Sequence, residues 1–213
     1  MTFEDSVVKM LCVNNFDTDG NGWLSYDDVA NVTSIENVFN GNTEIEYFPE
    51  LNSFTSVTTI QDRVFEDCTN LKEVGLNNIV TVGRKNGNGT FYNTAIQSVI
   101  MPNVKTVGVW AFRNCKDIQT VFLGEECATI SSWTFNFSTV LHTFVCMATT
   151  PPTMDGNYIA KLEGTTIYVP NESLDAYKTA WVNYADIIKG ISELPTDTEF
   201  YNKISKYLKY TRI

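Results

Sequence analysis

Phenylalanine recurs along this chain at Phe39, Phe65, Phe91, Phe112 and Phe135, at intervals of 21 to 26 residues. The same aliphatic phrase follows each one. Six residues on stand Ile45, Leu71, Ile118 and Leu141, and the gap shortens to five before Ile96. Three residues further come Phe48, Val74, Val99, Val121 and Phe144. A repeat unit of this length cannot bury its apolar face alone, whereas stacked copies bury one continuous core. The chain is therefore expected to form a solenoid, an architecture that serves mostly as a binding scaffold.

The clearest coils run 57–78, 79–103, 104–126 and 127–147. Each opens with an inward pair three apart: Val57/Ile60, Ile79/Val82, Val104/Val107 and Cys127/Ile130. Each closes on an aliphatic stretch: Leu71-Val74-Leu76, Ile96-Val99-Met101, Ile118-Val121-Leu123 and Leu141-Phe144-Cys146. That closing pattern is the L-x-x-L-x-L core of a leucine-rich repeat, whose last part is a short strand. Alternation along the strand turns Val74 and Leu76 inward and Gly75 outward. A less regular coil spans about 34–56, and the Gly- and Asn-rich insertion from Gly83 to Gly89 reads as a surface loop. The expected fold is a leucine-rich repeat solenoid of mostly short β-strands with irregular or turn connections. A short helical cap is expected at the N-terminus and a helical cap at the C-terminus. The expected division is an N-terminal cap over 1–33, the solenoid over 34–169, and a C-terminal cap and tail over 170–213.

The register also accounts for the cysteines. Cys127 and Cys146 take aliphatic core positions, and Cys68 and Cys115 share one column three residues after the phenylalanine. Buried free cysteine behaves as a small hydrophobe. Cys68 and Cys115 sit two coils apart, roughly 9–10 Å at strand spacing, which exceeds the reach of a disulfide. No disulfides are expected. The net charge of −10 argues against a nucleic-acid backbone or an anionic membrane surface as partner. No stretch is apolar enough to span a bilayer. The opening MTFEDSVVKM has neither a basic nor an apolar leader region. The expectation is either a cytosolic protein or one whose export signal precedes this segment.

The phrase VTTIQDRVFEDCTNLKEVGL and its echo VKTVGVWAFRNCKDIQTVFL resemble the BspA-like leucine-rich repeats of bacterial surface proteins. The run ATTPPTMDG, followed by TTIYVPNESLDAYKTAWVNYADIIKGI, is similar to that family's C-terminal cap. DTDGNGWLSYDDVANVTSI resembles the segment that often precedes the repeats. The resemblance implies an exported, often lipid-anchored surface protein of a gut or oral bacterium that works in adhesion or interaction. It brings no catalytic residues with it. The chain departs from the family in its missing export signal and its shortened Phe91 coil.

At the N-terminus, Val7 to Phe16 is expected as a short helix leading into Asp17-Thr-Asp19-Gly-Asn21-Gly22-Trp23. This matches an EF-hand calcium loop at positions 1, 3, 5 and 6, with a backbone carbonyl from Trp23 at position 7. Asp28 stands where a bidentate Glu is usual, as in dockerin-type loops. The expected metal set is Asp17, Asp19, Asn21, Trp23 and Asp28, holding a weak structural Ca²⁺. The other reading is a turn held by its own hydrogen bonds. At the C-terminus, Ile167-Tyr168-Val169 is expected as a last strand. A capping helix over 173–188 then carries Leu174, Tyr177, Trp181, Tyr184 and Ile188. The tail 196–213 spaces Phe200, Ile204 and Leu208 for a second helix, or frays.

Two surfaces could bind. Outward strand positions form an apolar stripe of Ile100, Phe122, Val145 and Tyr168, expected to bind a protein partner. The other reading has a loop, the C-terminal tail or a neighbour cover it. Two residues before successive phenylalanines, Trp110 and Trp133 should stack on adjacent coils, either as a glycan platform or as side cover for the solenoid. His142 has no nucleophile beside it in the register, and Glu125 and Glu126 form a charged turn. No catalytic residues are expected. The function expected is non-enzymatic protein–protein interaction or adhesion outside the cell or at its surface. The alternatives are a glycan-binding module and a structural spacer.

Overall fold

The computed structural model describes residues 1–84, 87–154 and 164–208. Among the described residues twelve short strands follow one another: β1 (Tyr47–Phe48), β2 (Thr59–Ile60), β3 (Glu73–Val74), β4 (Thr81–Val82), β5 (Ser98–Met101) and β6 (Thr106–Val107). Then come β7 (Thr120–Leu123), β8 (Thr129–Ile130), β9 (Thr143–Cys146), β10 (Thr153–Met154), β11 (Thr166–Val169) and β12 (Ile188–Gly190). The α-helices of the described residues lie at the ends: α1 (Ser6–Phe16), α2 (Tyr26–Ala30), α3 (Leu174–Ala180) and α4 (Glu199–Ile204).

Every strand pairing among the described residues is parallel. One wall is the ladder β2-β4-β6-β8-β10, and a second is β5-β7-β9-β11-β12, with β1-β3 a separate pair beside it. The coils over 79–103, 104–126 and 127–147 thus each give one strand to each wall. In the first wall the register stacks Thr59, Thr81, Thr106, Thr129 and Thr153 in one column. Its neighbouring column, Ile60, Val82, Val107 and Ile130, is buried. A β-branched hydroxyl residue outside and an aliphatic inside suit a half-buried strand.

The phenylalanines stack between the walls. Ring centroids lie 5.3 Å apart from Phe39 to Phe65, 5.0 Å to Phe91, 4.9 Å to Phe112 and 5.4 Å to Phe135. The planes become nearly parallel, at 3° between Phe112 and Phe135. Each contact adds about 0.5–1.5 kcal/mol beyond area burial. Edge contacts extend this spine to Phe144 and Trp181 at one end, and through Phe48 and Phe54 to Phe16 at the other. The core therefore runs continuously from the first helix to the C-terminal cap.

Asp5 fastens the N-terminal helix. Its carboxylate caps α1 by accepting from Val7 N and Val8 N, and also accepts from Glu46 N and Tyr47 N at the start of β1. Burial alone would raise its pKa, but these backbone donors outweigh it and hold the carboxyl low.

At the other end the expected helix over 173–188 is cut short. Trp181 leaves helical geometry (φ −108°, ψ 51°), and Val182–Tyr184 continues only as a 3₁₀ turn. Ile188 joins a strand instead, because β11 offers an open parallel edge that β12 occupies. Tyr177 and Trp181 still seal the end of the core, donating to the carbonyls of Ala148 and Pro152. The tail forms α4 and a 3₁₀ turn at Ser205–Tyr207. Of the insertion expected as a surface loop, Lys85 and Asn86 lie outside the described residues. Its flanking Gly83 and Gly89 are buried rather than projecting. Asp155 and Gly156 of the cap-like run, and tail residues 209–213, also lie outside the described residues.

Candidate interaction surfaces

The apolar stripe on the strand face is not open. Phe122 and Val145 are fully buried and Tyr168 nearly so, while Ile100 is half-buried. The residues after β12 fold back across the second wall. They form a small second core of Ile191, Leu194, Ile204 and Leu208 over these positions, with Phe200 and Tyr207 at its margin. Tyr207 stacks on Phe122 at 5.7 Å and donates a hydrogen bond to Asn77 Oδ1 at 3.0 Å. The expectation of an exposed stripe is thereby corrected. A contiguous apolar sheet face is covered by the chain's own amphipathic tail because burying both removes apolar surface from water.

The edge carrying the phenylalanine turns is different. Here the backbone enters the left-handed region twice per coil, except in the Phe91 coil, where it does so once, at Asn93. Two residues before the phenylalanine this occurs at Asn37, Arg63, Trp110 and Trp133, with φ of 62°, 65°, 58° and 63°. Two residues after, it occurs at Gly41, Asp67, Asn93, Asn114 and Phe137, with φ of 69°, 59°, 60°, 62° and 66°. Gly, Asn and Asp accept this geometry readily, whereas other side chains pay roughly 1–2 kcal/mol. The second column also carries a side-chain ladder. Asn93 Nδ2 donates to Asp67 Oδ1 at 2.8 Å, and Asn114 Nδ2 donates to Asn93 Oδ1 at 2.9 Å. At the next step the ladder ends, because the residue there is Phe137.

Phe137 is 53% exposed and Trp133 is 40% exposed. Val140 beyond them is also exposed, and Trp110 is half-buried. Arg113 lies between neighbouring rings, with its guanidinium carbon 4.8 Å from the Trp110 centroid and 5.6 Å from that of Phe137. Its Nε is buried and has no hydrogen-bond partner among the described residues. The patch thus presents two exposed aromatics and a stacked cation from consecutive coils. The periodicity located Trp110 and Trp133 but missed Phe137 and Arg113. The signal that would have found Phe137 is the glycine–aspartate–asparagine column that it interrupts.

In the N-terminal loop, carboxylate oxygens of Asp17, Asp19 and Asp28 lie within 4.8 Å of one another. The Asp17 oxygens accept from Gly20 N and Gly22 N, and Asp19 Oδ1 accepts from Asn21 N. Asn21 and Trp23 are exposed. Asp28 is buried, and each of its oxygens accepts from both a backbone N–H and a hydroxyl, those of Thr18 and Ser25. The hydroxyl bonds, with the two backbone donors behind them, hold its carboxyl well below the usual range. Asp28 also completes a capping box with Ser25 that starts α2.

All five cysteines are buried and unpaired. Burial pushes the thiols of Cys68 and Cys115 up to about 11, which keeps them protonated and unreactive. His142 is exposed and its ring bonds the neighbouring Thr143 hydroxyl, and Glu126 pairs with Lys105 at the surface.

A family model described as a BspA type leucine rich repeat region, in 6 copies, matches residues 30–153. The chain belongs to this family. No curated protein matches the chain. The matched residues include the phenylalanine edge and the strands of both walls before β11, and such repeats are protein-interaction modules. No helix among the described residues is long and apolar enough to cross a membrane.

Proposed function

We propose that this BspA-type chain is a non-enzymatic interaction module, at the cell surface or outside the cell. It binds a protein partner through the edge formed by Trp110, Arg113, Trp133 and Phe137. The observation that carries this reading is Phe137. It occupies a left-handed position where the preceding coils have Gly, Asp or Asn, and it is more than half exposed. Beyond its contact with Arg113 the fold gains little from a phenylalanine there, so binding accounts for it best. Exposed Trp and Arg are the residues in which interface energy concentrates. Ile100, Phe122, Val145 and Tyr168 serve in this reading as the dock for the chain's own tail.

The test is a binding screen against immobilised matrix proteins and neutral glycans, using the native chain and a Trp133→Ala/Phe137→Asn double variant. Loss of a protein interaction in the variant supports the reading. A glycan interaction lost in the variant would favour the competing saccharide platform on Trp110 and Trp133. An interaction that the variant retains sinks the edge as the binding surface.

The reading includes a weak structural Ca²⁺ in the N-terminal loop. Asp17, Asp19, Asn21 and the Trp23 carbonyl would supply its oxygens, and Asp28 would have to give up hydrogen bonds to join them. A hard cation suits such a set. Millimolar calcium should then raise the Tm of the native chain and leave Asp17→Ala/Asp19→Ala unchanged. An identical shift in both would show that no ion sits there.

A further inference from the structure

Two of the buried cysteines meet in the core, under the C-terminal cap. Cys127 opens the coil 127–147 and Cys146 closes it. In the preceding coils the same two places hold aliphatic residues: Val57 and Leu76, Ile79 and Met101, Val104 and Leu123. All of these are buried. Only the coil 127–147 has cysteine at both places.

The backbone brings the pair together. A turn in which Cys127 N donates to Gly124 O at 3.3 Å keeps the Cα atoms of these two residues within about 7 Å. Cys146 sits beside Leu123, its partner in the pairing of β7 with β9, at a strand spacing of about 4.8 Å. Both side chains turn inward, with Cys127 3% exposed and Cys146 fully buried. The two thiols are hydrogen-bonded to each other. Tyr177 of the cap closes over them, its hydroxyl donating to Cys146 Sγ at 3.2 Å and to Ala148 O at 2.8 Å. The remaining cysteines are engaged elsewhere. Cys68 Sγ donates to Phe39 O at 3.1 Å and Cys115 Sγ to Phe91 O at 2.8 Å, while Cys12 lies on α1.

We propose that Cys127 and Cys146 are a disulfide site: when the chain folds in an oxidising medium, they join into a covalent link from the approach to β8 across to the end of β9. The chemistry balances with a small-molecule disulfide as oxidant. One cysteine thiolate attacks the reagent's S–S bond, forming a mixed disulfide and expelling one small thiolate. The second cysteine thiolate attacks the cysteine sulfur of that mixed disulfide, forming the Cys127–Cys146 bond and expelling the other small thiolate. Two electrons pass to the reagent, and the two cysteine protons end on the two small thiols. In the folded chain, hydrogen bonding to Cys146 and burial behind it hold the Cys127 thiol protonated, and only a thiolate attacks. The link therefore forms as the coil closes, before Tyr177 and Trp181 seal the end of the core, and is afterwards shielded from reductant. It lies away from the aromatic edge and stands or falls separately from it.

The experiment is refolding of the full chain from urea in a mixture of oxidised and reduced glutathione, then acid quench, alkylation under denaturing conditions and mass spectrometry. The native chain should take up three alkyl groups rather than one on each of its five cysteines, and its digest should contain a peptide pair joined through Cys127 and Cys146. The chain refolded with reductant should take up five. Closing a loop of about 20 residues should raise the Tm by roughly 6–12 °C over the reduced chain. Cys127→Val restores the residue found at Val57 and Val104, so this variant should fold, and its Tm should be the same in both media. The proposal is overturned by five alkyl groups after oxidative refolding, or by a link through Cys12, Cys68 or Cys115 in its place. A linked chain with a lower Tm, or an equal Tm difference in Cys127→Val, overturns it as well.

Discussion

Replacing Phe137 with asparagine should make this protein more stable. The residue sits at φ 66°, and the same position one coil earlier is Asn114 at φ 62°. A bulky side chain in the left-handed region costs roughly 1–2 kcal/mol, and asparagine recovers part of that. The new amide would reach the ladder that runs from Asp67 through Asn93 to Asn114, extending it by one hydrogen bond of about 1 kcal/mol. Against this stands the loss of the Arg113 contact with the Phe137 ring, about 0.5–1 kcal/mol at an exposed site. Little burial is lost, because the ring is 53% exposed. The balance is a gain of about 0.5–1.5 kcal/mol, from the same terms. Urea unfolding followed by far-ultraviolet circular dichroism reads it as a higher midpoint with an unchanged slope. Binding through the edge should fall in the same variant. Destabilisation by more than about 1 kcal/mol would refute the reasoning, since it would make Phe137 a packing residue and remove the argument that it is kept for a partner.

Other expectations follow from the core, the tail and the caps. Phe112→Ala removes a fully buried ring from the middle of the stack and should cost about 4 kcal/mol. Phe112→Leu keeps most of the volume and should cost about 1.5 kcal/mol. Equal losses in the two variants would mean that the stack contributes no more than filling. Ile204→Asp places a charge in the second core and should release the tail. The signs are dye binding to the bared Phe122 and Val145, and cleavage between Leu194 and Glu199 while the sheet signal persists. Resistance to both would show that the tail holds by other contacts. Asp28 and Asp5 have folded pKa values depressed below the unfolded reference near 3.9. Their contribution is complete above that reference and is lost as pH falls through the folded values. Tm should therefore decline more steeply below about pH 4 in the native chain than in Asp28→Asn, and parallel curves would exclude Asp28 as the cause.

The phenylalanine period made the interior legible almost residue by residue. Val57, Ile60, Leu71, Val74 and their counterparts are buried where the register puts them, because each coil's inward columns are set by covalent spacing alone. The tail's destination was legible only as one of three possible covers for the stripe. Phe200, Ile204 and Leu208 show an apolar face without saying which surface receives it, and Phe122 and Val145 show an apolar face without saying what covers it. The helix over 173–188 failed for a related reason. Its apolar spacing is real, but Ile188 meets an open strand edge, and pairing with β11 overrides helical periodicity. The aromatic edge lay between these cases. Trp110 and Trp133 stood out by residue type, whereas Phe137 becomes conspicuous only when its backbone angle is compared with its column.

The bond from Tyr207 to Asn77 joins residues 130 positions apart. Time along the chain then matters as well as space. A growing solenoid can add each coil to the one before it as it leaves the ribosome or an export channel, since nearest neighbours suffice. The segment after β12 reverses this order, because it returns to a coil made long before it. Until residue 208 has emerged, the strip from Ile100 to Tyr168 stays bare on an otherwise finished wall, and for that interval the unfinished protein is at its most adhesive.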